Sequence, residues 1–260
     1  MTFNNIINHL KLWCKKKAGV YETVHDSHGG TTYVGYLLAY ELQFKLSTLV
    51  DMPFESTTDL KRAVLELLDI HYEPYVLNPP NDLAKHIIDK INREFREFLE
   101  ELFADKDSLA TADIPYQRAI IGPEAEALIE KFRSVWKYVN TSYWFPLMGN
   151  EPEGVPEKFF IMLNRLEPYM KQLEKILGLP QTHIYCYGED ISRPNNCLET
   201  VELIAYGGLE SIYTDKDFTW AIYFSHENTI AFAGAIVPKV KELLSAEKEH
   251  WNKFEWDWMV

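Results

Sequence analysis

Apolar residues in the first half of the chain recur every three to four positions, the spacing of one helix face. Phe3, Ile6, Ile7, Leu10, Trp13 and Cys14 predict an amphipathic helix over 3–17. The His25-Asp26-Ser27-His28-Gly29-Gly30 stretch predicts a loop, because glycine and short polar side chains favour turns. Helix resumes over 32–49 with aromatics scattered round it, and Pro53 closes that element. Ser56, Thr57 or Thr58 then caps a helix carrying Leu60, Val64, Leu65, Leu67 and Leu68. Asn78-Pro79-Pro80-Asn81 interrupts the chain. After it comes the clearest stripe, Ile87, Ile91, Phe95, Phe98, Leu99 and Leu102, which predicts a helix over 82–104 with charges on its other face. Residues 105–122 read as a loop. Pro123 suits a first helical turn, and Leu128, Ile129, Phe132, Val135, Trp136 and Val139 give another stripe. Phe159 to Leu177 reads as a further helix, bent at Pro168 and ended by Gly178 and Pro180.

The period then shortens. His183 to Tyr187, Thr200 to Tyr206 and Ser211 to Tyr213 read as strands. Phe218 to Ser225 is the strongest: Trp220, Ile222 and Phe224 share one face, and Ala221, Tyr223 and Ser225 the other. Glu227-Asn228 turns the chain, Thr229 to Ala233 returns as its partner, and Gly234 ends the hairpin. Val237 to Glu249 reads as a helix, followed by an aromatic tail from Trp251 to Trp258. The expected fold is α+β, helical in its N-terminal two thirds, with a C-terminal antiparallel sheet closed by a helix. Three prolines and two glycines from Pro146 to Pro156 place a boundary between a mainly α-helical region, 1–150, and an α+β region, 151–260, unless the two form one continuous domain.

Composition narrows the class. The chain has 260 residues, 47% of them hydrophobic and 14% aromatic, enough for a packed core and too many for a disordered chain. Its net charge of −13 repels phosphate, so nucleic acid is not an expected partner. Lys15-Lys16-Lys17 is too short a basic run to alter that. The longest apolar stretch, 34–50, is broken by Glu41 and Lys45 and falls short of the ~20 residues of a membrane span. The first residues lack the charge order of a signal peptide, and Cys14, Cys186 and Cys197 are few and odd in number. The expectation is a cytoplasmic protein with reduced thiols and no membrane partner.

Several constellations have the residue types of a site. His25, Asp26 and His28 could hold a divalent metal, with Glu22 or a distant residue completing the shell. A metal there would generate hydroxide for hydrolysis. A polar surface turn explains the same residues, and the leading reading carries no cofactor. Ser225-His226-Glu227 holds nucleophile, base and orienter types, yet neighbours on a strand point to opposite faces, so a hairpin tip explains them better. Glu189 and Asp190 read as solvated acids in a turn, and Gly188, Gly207 and Gly208 form no phosphate loop. Aromatics in irregular segments, Tyr143, Trp144, Trp251, Trp256 and Trp258, are the candidates for anchoring a partner.

Trp220 to Gly234 resembles a W-x-I/V-Y-x-S-H-E-x-T-I-x-F-x-G segment near the C-terminus of uncharacterised bacterial proteins, some of which resemble immunity proteins of polymorphic toxin systems. The resemblance covers about fifteen residues and implies no catalytic role. The expected function is therefore a non-enzymatic bacterial binding protein, an immunity protein occluding a basic toxin. The alternatives are a metal-dependent hydrolase built on His25, Asp26 and His28, and a small-molecule sensor with a pocket lined by Tyr143, Trp144 and Tyr185.

Overall fold

The computed structural model describes residues 2–23, 31–69, 82–136, 157–188, 197–203, 211–225 and 227–253. It divides into two compact units, Met1–Ile114 and Pro115–Val260. The architecture is α+β, with helices mainly N-terminal and a seven-stranded antiparallel sheet in the C-terminal part. The boundary expected at 150/151 falls within 137–156, outside the described residues.

The first unit is built from α1 (Phe3–Thr23), α2 (Thr31–Ser47), α3 (Thr57–Asp69) and α4 (Asp82–Ala104). α2 packs against all of the other three, and none of its residues from Val34 onward is exposed. This accounts for its weakly patterned sequence: no side of the helix is fully open to water, and only the Glu41–Lys45 pair, at 2.7 Å, marks a wetter side. α1 lays Ile6, Ile7, Leu10, Lys11, Cys14 and Ala18 inward. Trp13 lies 5.2 Å from the Phe95 ring and 6.0 Å from that of Phe98, and Lys17 pairs with Glu94 at 2.6 Å, both fixing α1 to α4. Ser56 is the cap of α3, accepting from the Asp59 amide at 3.2 Å and donating to its carboxylate at 2.7 Å.

The second unit runs β1 (Gln117–Ile120), α5 (Gly122–Trp136), β2 (Lys158–Met162), α6 (Leu163–Leu166), α7 (Met170–Ile176), β3 (Ile184–Gly188), β4 (Cys197–Thr200), β5 (Ser211–Asp215), β6 (Trp220–Phe224), β7 (Thr229–Gly234) and α8 (Val237–Leu243). The sheet order is β1-β4-β3-β5-β6-β7-β2. One face, carrying Ile120, Cys197, Tyr187, Ile212, Tyr223, Ala231 and Phe160, is covered by Ala125, Ile129, Phe132 and Trp136 of α5. On the other, Lys241 of α8 and Trp251 lie over Phe159, and the Phe159 ring stacks on Phe232 at 5.3 Å.

Three expectations are corrected. The segment 105–122 is not all loop, because Gln117–Ile120 forms edge strand β1 on β4. The helix expected from Phe159 begins instead as strand β2, paired with β7 from Lys158↔Ala233 to Met162↔Thr229. Phe159 to Met162 is buried on both faces, and an unbroken apolar run of that length fits helix and strand equally. The strand expected from Thr200 lies earlier, at Cys197–Thr200, while 204–210 is outside the described residues. The hairpin turn stands as expected, with Asn228 at φ 56° and the Ser225 amide donating to the Thr229 carbonyl at 2.9 Å.

Candidate functional site

Strand parity gathers the polar residues of the second unit. Register places Arg118 of β1 opposite Glu199 of β4, Glu199 opposite Tyr185 of β3, and Tyr185 opposite Thr214 of β5. The row shares the face that α5 covers, where Ile120 and Tyr187, two residues along from Arg118 and Tyr185, join the core. His183 precedes β3 and Lys216 follows β5, and both reach the same carboxylate.

Glu199 is the centre. Its Oε1 accepts from His183 Nδ1 at 2.8 Å and from Lys216 Nζ at 2.7 Å. Its Oε2 accepts from Arg118 Nε at 3.1 Å and Nη2 at 2.9 Å. Arg118 also grips Glu124, at 3.0 Å through Nη1 and 2.7 Å through Nη2. Gly122, at φ 62°, permits the sharp passage from β1 into α5 that brings Glu124 of the first turn back over Arg118. The Tyr116 ring lies 4.5 Å from that of His183.

Lys216 is placed by a constrained turn. Phe218 sits at φ 61°, a conformation that bulky side chains rarely adopt. It is held there because its ring is buried against Tyr185 at 6.0 Å with Lys131 Nζ 4.4 Å above it. Asp215 ties the turn by accepting from the Thr219 amide at 2.6 Å.

Burial alone would raise the Glu199 pKa, but the hydrogen bonds from Lys216, His183 and Arg118 outweigh it and hold the carboxyl at about 2. The Arg118 bond lowers the Glu124 pKa against a smaller burial effect, and the bond to Glu199 raises that of Lys216. Burial raises Tyr185, opposed by Lys216. At neutral pH the cluster therefore holds two carboxylates, two fixed cations and one imidazole.

Of the aromatics singled out in the sequence as partner anchors, Trp251 is described: it is half-buried, packed 5.2 Å from Phe159 with Lys241 Nζ 5.8 Å from its ring. Tyr143, Trp144, Trp256, Trp258, His25, Asp26, His28 and His226 lie outside the described residues. Ser225 Oγ accepts from the Glu227 amide at 3.1 Å, in keeping with a hairpin tip. No group of three or more His, Cys, Asp or Glu among the described residues could hold a metal ion. Cys14, Cys186 and Cys197 are free and buried. Cys197 pairs with Tyr187, the neighbour of Cys186, so the two thiols point to opposite faces. Burial pushes the Cys186 thiol up to about 12, keeping it protonated.

Sequence reasoning missed the Glu199 cluster, although two signals were present. Glu199 is a charge in an apolar stretch, Cys197-Leu198-Glu199-Thr200-Val201, which needs a partner when buried. His183, Tyr185 and Tyr187 alternate onto one face of an expected strand. No family model, curated protein or solved structure matches the chain.

Proposed function

We propose that the protein is a non-enzymatic bacterial binding protein of the immunity type, which occludes a toxin whose surface is basic. The observation that carries this reading is the net charge of −13. Part of it is displayed on exposed helix faces, at Glu97, Glu100 and Glu101 of α4 and at Glu126 and Glu130 of α5. Such a field speeds the approach of a basic partner and slows that of an acidic one. A cytoplasmic location goes with the proposal, as does the resemblance of Trp220 to Gly234 to segments of immunity-like proteins.

The test is co-expression with the products of the adjacent genes. The expected result is a stoichiometric complex with a basic neighbour and rescue of growth from its toxicity. Its association rate should fall about tenfold or more as salt rises from about 0.05 to 0.5 M. Absence of a complex with every adjacent product at low salt would refute the proposal, as would association indifferent to salt.

A further inference from the structure

We propose that His183 and Lys216, both anchored on Glu199, form a binding site for a small oxyanion, the phosphoryl or carboxylate group of a small molecule. This goes beyond the partner reading and does not depend on it.

The argument starts from which donors are spent. Arg118 divides its guanidinium between Glu199 and Glu124, so its charge is matched inside the cluster. Lys216 gives Glu199 one N–H, and an ammonium has three. His183 uses Nδ1 on Glu199, which fixes the tautomer and leaves Nε2 with no hydrogen bond among the described residues. Both nitrogens meet the same carboxylate oxygen, so the imidazole and the ammonium are close neighbours. Both groups reach solvent, the Lys216 side chain at 52% and the His183 side chain at 38%, whereas Glu199 beneath them is at 7%. The buried carboxylate thus holds two outward donors at little further entropic cost, the preorganisation that small-anion recognition requires. Lys216 sits on the constrained Phe218 turn, and Tyr116 packs on the imidazole.

The experiment uses the whole chain, with inorganic phosphate and acetate as separate probes and the histidine ring resonances as readout, assigned by His183→Gln. The expected result is a saturable shift of the His183 signals at millimolar probe, with affinity roughly tenfold lower in Lys216→Met. The saturable shift in the wild-type chain is read independently of how well either variant folds. Tighter phosphate identifies a phosphoryl ligand, and tighter acetate a carboxylate. A shift that does not saturate by about 100 mM probe overturns the proposal, as does equal affinity in wild type and Lys216→Met.

Discussion

The two units bury their central elements by different means. In the first, α2 is surrounded by α1, α3 and α4, and its hydrogen bonds are internal to the helix. In the second, β6 and β7 are buried on both faces, and every ladder bond is to a neighbouring strand. Both central elements lose the polar–apolar alternation that marks a half-covered element, so apolar runs without a period occur in either. The difference lies in where specification comes from. A helix still announces its ends by caps and prolines, whereas a short buried strand is defined by a partner far along the chain. Ser56 illustrates the first case and Phe159 to Met162 the second.

Truncating a central ring should cost the most, and similarly in both units. Phe95→Ala and Phe232→Ala each remove a fully buried ring, and each should lose about 3–5 kcal/mol. Native-state hydrogen exchange should show the loss in α2 and α4 for the first and in β6 and β7 for the second. Protection in β6 and β7 unchanged by Phe232→Ala would break the picture of a tightly packed sheet.

Glycine substitutions sharpen the contrast. At Gly234, φ 78°, an added Cβ would lie 2.4 Å from the Thr219 carbonyl and 2.7 Å from the Trp136 ring, backbone and core that cannot yield. Gly234→Ala should cost about 3 kcal/mol, measured by urea unfolding. At Gly35 the Cβ would meet the Tyr21 ring at 2.6 Å, a half-buried side chain that can swing away. Gly35→Ala should cost about 1 kcal/mol alone, yet stabilise a Tyr21→Ala background by up to about 1 kcal/mol through helix propensity. A cost persisting in that background would show that something other than the ring fills the space.

The Glu199 cluster gives the second unit a pH response. The folded-state pKa, about 2, lies below the ordinary value of 4.5. Its contribution is therefore complete above about pH 5 and is lost as pH falls from there towards 2. Urea midpoints should drop across that window more steeply in wild type than in Glu199→Gln, and parallel pH profiles would sink the assignment. A similarly small effect belongs to the first unit: Ser56→Ala should cost about 1 kcal/mol, seen as faster exchange in the first turn of α3.

The sequence by itself determined the helices that carry a stripe, the place of the α3 cap to within Ser56, Thr57 and Thr58, the turn at Asn228 and the α+β class. Those features rest on residues within a few positions of one another, where propensity and periodicity act directly. Only the tertiary structure decided that Gln117–Ile120 and Lys158–Met162 are strands, and that Arg118 meets Glu199 across 81 positions. Strand pairing and ion pairing join residues whose proximity exists only after the chain has folded. A buried charge such as Glu199 betrays in the sequence that it needs a partner, while the register of β1, β3 and β4 chooses which.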